Sequence, residues 1–476
     1  MTQFTPPHSL RYVPALDGLR AVAVLMVFIN HLGLMPGGVY GVDIFFVLSG
    51  YLITEVLANS RGQAGFLGTF YFKRFLRLFP PLALICAVVA AICWIFDGRP
   101  SIYADALSSI LYTQSWTGAL KDGFGFYLGH TWSLSVEEQF YLVWPVVWLF
   151  LVRFRDARVT FGLSLALLVF SYVYQFWMVH ANLGYDRIYL APDTRSQAIL
   201  VGAVGSMASR MPGLPQRVVR VLASIPLLAL PFAVFITYDI FWDVEHGLAV
   251  SVLTLMVILR VVIHGDSLDS RALSLRPLVG LGRISYGFYL WHLPIVYLLL
   301  HTYGMGVWTT AAFSFAASLA ISTASFIWLE RPALRLRSVV RPAVQVKAGI
   351  AAFVVSVVSI IGGLLYFQWD DVRFILSGKP LEVVNYGPRS YQIGERGPLQ
   401  ADGTLAMWVQ MNGRPDMQST AEIECYKTGI TVVKNGMSIM LPKVFSSVPG
   451  KYSVKIHGKD GRQLVDPVVI EVLPPK

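Results

Sequence analysis

Leu78 to Phe96 reads LFPPLALICAVVAAICWIF, a run without a single charge. Lys73, Arg74 and Arg77 stand just before it and Asp97 directly after it. A hydrocarbon core about 30 Å thick is crossed by roughly 20 apolar residues when a helix rises about 1.5 Å per residue. The run therefore reads as a membrane span with its basic end in the cytoplasm. Working outward, similar stretches fall near 15 to 35, 41 to 57, 138 to 152, 159 to 179, 196 to 209, 219 to 238, 247 to 263, 284 to 300, 307 to 328 and 345 to 367. With 55% hydrophobic and 14% charged residues, the chain holds more apolar surface than a soluble core of this size would hide. The expected fold is an all-α polytopic membrane bundle of about 10–11 transmembrane helices. The second and sixth stretches are short and glycine-bearing, so each is either a plain span or a broken, re-entrant one.

Basic residues alternate between loops. Arg61, Lys73, Arg74 and Arg77 share one side with Arg153, Arg155, Arg158, Arg210, Arg217, Arg220, Arg271, Arg276, Arg335, Arg337, Arg341 and Lys347, which places that side in the cytoplasm. Asp97, Asp105, Asp122, Asp186, Asp239, Asp243 and Glu245 mark the outer side. This topology accounts for the net charge of +10, so no nucleic-acid partner is expected. The first apolar stretch has no small-residue cleavage site and is expected to stay attached. The expected location is the cell (inner) membrane, multi-pass, with the N-terminus cytoplasmic.

After Trp369 the pattern changes to short alternating segments separated by turn residues. Candidate strands run Leu381 to Asn385, Thr404 to Met411, Ala421 to Lys427, Ile430 to Lys434, Met437 to Met440, Gly450 to His457 and Pro467 to Leu473, with a hairpin turn at Gly458 to Gly461. The spacing predicts an extracytoplasmic all-β domain, an immunoglobulin-like sandwich. His457 and Asp460 read there as solvated turn residues. Cys86 and Cys93 lie in one span and Cys425 sits alone, so no disulfide framework is expected. The reading divides the chain at 9–340, 341–370 and 371–476.

Ionisable residues within apolar spans are costly and mark candidate sites. Arg20 opens the first span, and His31 lies eleven residues on, roughly 16 Å deeper. His31 is either a general base or a hydrogen-bonded structural histidine. Arg74 and Arg77, three apart, serve either phosphate binding or topology and anionic lipid. Further blocks follow in order: Gly41-Val42-Asp43-Ile44-Phe45-Phe46-Val47-Leu48-Ser49-Gly50, Lys73 to Pro80, His130-Thr131-Trp132-Ser133-Leu134-Ser135-Val136-Glu137-Glu138-Gln139-Phe140-Tyr141, Ser285 to His292, and Trp328-Leu329-Glu330-Arg331-Pro332.

Together these blocks resemble acyltransferase family 3, whose pattern is an Arg, ten residues and a His, a Phe-Phe-x-x-Ser-Gly signature, a basic R-x-x-R-x-x-P element and a W-S-L-x-x-E segment. The resemblance covers about residues 9 to 340. It implies a membrane O-acyltransferase that moves an acyl group, usually acetyl, from cytoplasmic acetyl-CoA to hydroxyls of an extracytoplasmic carbohydrate. It further implies donor binding by Arg20, Arg74, Arg77 and Ser49. His31 would be the base, oriented by Glu137 or Glu138, and His292 a second base or an oxyanion stabiliser. Tyr189 and Arg195 would meet the acceptor, while Trp132 and Tyr141 either stack on sugar faces or anchor the membrane interface. Membrane lipids are the remaining partners, and no metal is expected. Many relatives carry a C-terminal esterase-like domain with its own Ser, Asp and His; this chain does not, which favours transfer within the membrane part. Two other classes remain: a transporter or flippase, which an inverted repeat would support, and a sensor, which a cytoplasmic output domain would support.

Overall fold

The computed structural model describes residues 12–60, 63–96, 100–120, 127–154, 156–180, 185–211, 240–263, 265–377, 382–393, 405–411, 420–423, 426–433, 436–441, 448–457 and 463–474. The expected span at 219–238, the hairpin at Gly458 to Gly461, and Cys425 and Asp460 lie outside these residues. The chain divides into two compact units, one of residues 1–118, 124–179 and 188–363 and one of 119–123, 180–187 and 364–476.

The first unit is helical. Its long elements are α1 (Pro14–His31), α2 (Gly41–Asn59), α3 (Phe66–Phe96), α4 (Pro100–Ile110), α5 (Gln114–Leu120), α6 (Trp132–Leu151) and α7 (Ala157–His180). Three short helices follow, α8 (Tyr185–Leu190), α9 (Pro192–Arg195) and α10 (Gln197–Ser209). Then come α11 (Ile240–Ile263), α12 (Leu268–Leu273), α13 (Arg276–Arg283), α14 (Ser285–Tyr297), α15 (Val307–Ser325), α16 (Arg331–Val339) and α17 (Pro342–Ser377). Among the described residues seven helical stretches are long and apolar enough to cross a membrane: 14–31, 37–59, 66–92, 129–154, 157–180, 307–339 and 342–366. The expected spans at 196–209 and 247–263 are shorter apolar helices, and the one at 284–300 is α14 prolonged by a π turn over Leu298–Thr302.

Local chemistry sets the boundaries. Pro14 occupies the first turn of α1, where its missing N–H costs nothing, and Asp17 faces the positive end of the helix dipole. The helix stops at His31, earlier than the expected residue 35, because Gly33 adopts φ +74°. Its N–H bonds the Asn30 carbonyl at 2.8 Å and the Leu34 N–H bonds Ile29 at 3.2 Å, a Schellman closure that satisfies the last carbonyls. The second span is one unbroken helix, α2. Its glycine serves packing: a Cβ on Gly50 would lie 1.8 Å from the Ile199 carbonyl oxygen of α10, and one on Gly202 would lie 2.0 Å from that of Val47. Small residues at such a crossing let two membrane helices touch backbone to backbone.

Among its described residues the second unit contains eight strands: β1 (Val383–Gly387), β2 (Ser390–Gln392), β3 (Leu405–Met411), β4 (Thr420–Ile423), β5 (Tyr426–Val433), β6 (Gly436–Leu441), β7 (Gly450–His457) and β8 (Val468–Leu473). Their order is β1-β3-β6-β5-β4-β7-β8-β2. All neighbours are antiparallel except β2 and β8. β5 pairs with β4 through residues 426–429 and with β6 through 430–433. Period-2 alternation buries Leu405, Met407, Val409 and Met411 of β3 in one core with Val454 and Ile456 of β7 and Val468, Ile470 and Val472 of β8. The expected strand Ala421 to Lys427 falls on two described strands, β4 ending at Ile423 and β5 beginning at Tyr426, and the three-residue β2 was not anticipated because so short an edge leaves no periodicity to read. His457, expected as a solvated turn residue, stands 3.3 Å from Glu422 of the neighbouring strand.

Candidate active site

Helices α1, α2, α3, α6 and α14 surround a cleft with about 640 Å³ of empty volume, counting its open mouth. Arg20, Ser49, Arg74, Arg77, Glu137 and Tyr141 all line it. Arg20 is held by Asp17 of the preceding turn at 3.1 Å. The Arg74 guanidinium lies 3.5 Å from the centroid of the Tyr141 ring, a cation–π stack that fixes its plane. Ser49 donates to Glu137 Oε1 at 2.6 Å. Glu137 and Tyr141, four apart on α6, present one face to the cleft, just as Arg74 and Arg77 do from α3. Three guanidinium groups around one opening, with a hydroxyl and a carboxylate further along its wall, suit a ligand with an anionic end and a polar, uncharged arm.

Tyr289 belongs to two environments. Its side chain lines the cleft, with its hydroxyl 2.6 Å from Ser133 Oγ, and its ring packs on His130 and His292 at centroid distances of 5.1 and 5.5 Å. Beyond it the three histidines gather: His31 and His292 stack at 5.0 Å, and His130 meets His292 at 5.4 Å. His31 is partly buried, while His130 and His292 are buried.

Hydrogen bonding assigns the tautomers. His292 Nδ1 lies 2.6 Å from the Tyr289 carbonyl and 3.2 Å from that of Phe288, so it must carry the proton. In the neutral ring its Nε2 is then an acceptor, and it stands 2.7 Å from His31 Nδ1. His31 therefore donates through Nδ1 and keeps the lone pair of Nε2 for another partner. The expected orienting carboxylate is replaced here by a histidine whose own tautomer is set by the main chain. Glu137 bonds Ser49 instead, and Glu138 faces a neighbouring cavity.

The remaining expected residues stand elsewhere. Arg195 Nη2 bonds both oxygens of Asp43 at 3.2 Å, with the Tyr189 and Trp132 rings 4.8 and 5.8 Å from the guanidinium. All three are buried, so they hold helices together in this structure and do not line the cleft. Tyr141 stacks on Arg74 within the cleft and not on an outer face. His130, Ser133 and Tyr289 were not singled out, although each lies inside one of the motif blocks. His130 opens the W-S-L segment, and its ring gains a role only once α14 brings His292 against it. Among the described residues no cluster of three or more His, Cys, Asp or Glu side chains is arranged to hold a metal ion.

Among the described residues, seven apolar spans, a cleft lined by Arg20, Arg74 and Arg77 and the stacked pair of His31 and His292 define a multi-pass membrane protein with a polar site inside its helical unit. The chain belongs to acyltransferase family 3: the family profile, described as an acyltransferase domain, matches residues 13–327. It is similar to the peptidoglycan O-acetyltransferase OatA of Listeria monocytogenes, 31% identical over 353 residues, which covers 69% of this chain and 57% of that protein. It is also similar to a putative O-acetyltransferase of Staphylococcus aureus strain COL, 33% identical over 329 residues, covering 63% and 53% of the two chains. OatA of S. aureus strain NCTC 8325 is 33% identical over 327 residues, with the same coverage. The chain thus spans a little over half the length of the curated relatives it matches. No solved structure matches it.

Proposed function

We propose that the chain is a membrane O-acetyltransferase that moves the acetyl group of acetyl-CoA to a hydroxyl of an extracytoplasmic carbohydrate. The observation that carries this reading is the His292–His31 pair, which leaves a lone pair on His31 Nε2, beyond the Tyr289 side chain that lines the same cleft as Arg20, Arg74 and Arg77. The arginines hold the donor's phosphates by charge-assisted hydrogen bonds. Ser49 and Glu137 meet the uncharged arm. His31 Nε2 takes the proton of the attacking hydroxyl as the oxygen bonds to the thioester carbon. The C–S bond then breaks, and the leaving thiolate takes that proton back from His31. During the step His292 Nε2 accepts from His31 Nδ1 and stabilises the imidazolium, with its own Nδ1–H anchored on two carbonyls.

In this reading Glu138, Trp132, Tyr189 and Arg195 act outside direct contact with the donor. The domains are the family domain at 9–340, a helix and linker at 341–370, and an immunoglobulin-like β domain at 371–476 that lies outside the cytoplasm near the acceptor. The positive residues that flank the spans support a cytoplasmic N-terminus. The name of the Listeria relative, a peptidoglycan O-acetyltransferase, supports a peptidoglycan-like glycan as the class of acceptor.

The test is acetyl transfer from labelled acetyl-CoA to a carbohydrate acceptor by purified wild-type and His31→Ala protein. Loss of a general base lowers kcat by about 10²- to 10⁴-fold, while donor binding stays near wild type. Near-normal turnover of His31→Ala would remove His31 from the mechanism.

A further inference from the structure

A second cavity adjoins the first. It has about 790 Å³ of empty volume with its mouth, and the two share Arg74, Leu78 and Tyr141. One wall comes from α17, which begins after the last residue of the family match. That wall is fixed: a Cβ on Gly349 would fall 1.6 Å from the Gly68 carbonyl oxygen, and the Tyr71 and Phe353 rings pack at 4.8 Å. Phe75 and Val355 at its edge are exposed apolar residues on two membrane spans, so the mouth opens sideways towards hydrocarbon and not towards water.

Two of its lining side chains differ from the apolar rest. Glu138 Oε1 and Arg74 Nε are both buried without a hydrogen-bond partner, one acceptor and one donor in a mostly apolar cavity. Tyr112 beside them has φ +55°, a backbone conformation that a bulky residue rarely adopts. Its carbonyl is clamped by Gln139 Nε2 at 2.8 Å, and Gln139 Oε1 is held in turn by Trp116 Nε1 at 3.0 Å. A strained, pinned residue in a cavity lining points to a site kept in one shape for a ligand.

We propose that this cavity binds a bilayer lipid with an alkyl chain and a hydroxyl at its head. The chain lies between α3 and α17, the hydroxyl donates to Glu138 Oε1, and its oxygen accepts from Arg74 Nε. Both orphaned atoms are thereby satisfied by one group, which a purely apolar tail cannot do.

The test uses the full chain in nanodiscs doped with a photoreactive long-chain alcohol or its O-methyl ether, without acetyl-CoA, and mass spectrometry of the labelled peptides. The alcohol should label α3 and α17 in the wild type. Labelling should fall roughly tenfold for the ether and for Glu138→Leu, which has no acceptor at that place, about what loss of one hydrogen bond to a charged group produces. Ser356→Phe and Ala352→Phe, which fill the cavity, should abolish it. Equal labelling by alcohol and ether in the wild type would mean an unspecific lipid annulus and overturn the proposal, even if the filling variants fail to fold. Undiminished labelling of folded Ser356→Phe would overturn it as well. Neither readout depends on acyl transfer, so failure of the transferase reading would leave this result intact.

Discussion

His292 carries the clearest prediction at the scale of single residues. If it acts by accepting from His31 Nδ1, then His292→Gln, whose amide oxygen is also an acceptor, should keep markedly more activity than His292→Leu. Both variants should bind acetyl-CoA as the wild type does. Equal loss of kcat in the two, measured with donor binding, would reduce His292 to a packing residue. The legible part of the site was its spacing and composition: Arg20, Ser49, Arg74, Arg77, Glu137 and Tyr141 were all named from motif blocks, and all line one cleft. The partners were not legible. Glu137 was expected beside His31 but bonds Ser49, because the rotation of α6 against α2 is decided by packing that no spacing rule reports. Arg195 and Tyr189 were expected as acceptor contacts because they match a family block at the start of an outer-facing helix, yet Asp43, 152 residues from Arg195 in sequence, is the partner that neutralises its charge.

At the scale of elements, the α2–α10 crossing has no room for a side chain. Gly202→Ala should lower thermal stability in detergent by about 1–3 kcal/mol, the usual cost of overpacking, without changing the chemistry of the folded fraction. Unchanged stability would mean the crossing relaxes freely. Helix α4, which is not among the membrane-spanning stretches, supplies a pH prediction. Burial pushes the Asp105 carboxyl up to about 6, against a hydrogen bond with Gln114 that pulls the other way. An unfolded aspartate titrates near 3.9, so between about 3.9 and 6 the folded protein keeps a proton that the unfolded chain has released. Stability from this group is therefore greatest below about 3.9 and falls as pH rises towards 6. Melting curves from pH 4 to 7 should show that slope in the wild type and lose it in Asp105→Asn. Helix α7 was readable within two residues at each end because about twenty apolar residues admit no other structure, whereas α3 ends where expected but begins at Phe66, twelve residues before Leu78, because the charges at Lys73, Arg74 and Arg77 do not interrupt a helix. The end of α1 was misplaced by four residues because one glycine in the left-handed region outweighs the apolar residues after it. The expected strand Ala421 to Lys427 covers parts of both β4 and β5, because alternation alone does not say where one strand ends and the next begins.

For the whole molecule, charge alternation predicts that a reporter fused after Trp369 is active outside the cytoplasm and one near Arg210 inside it. A cytoplasmic reporter after Trp369 would overturn both the orientation and the placement of the β domain near the acceptor. The division into a helical part and a strand-bearing part was readable from hydropathy alone, whereas the cavity walled by α17 was not, since it depends on two glycines 281 residues apart meeting face to face. That meeting has a consequence for descent. A lineage that acquired the α17 segment could seat it only if position 68 was already glycine or became so, and once seated neither partner can change alone. Homologues that keep the appended helix should therefore carry glycine at both places, while those without it are free to vary at 68. The pair should be inherited as a unit, and finding both glycines in an unfamiliar member of the family would mark the lateral cavity there from its residues alone.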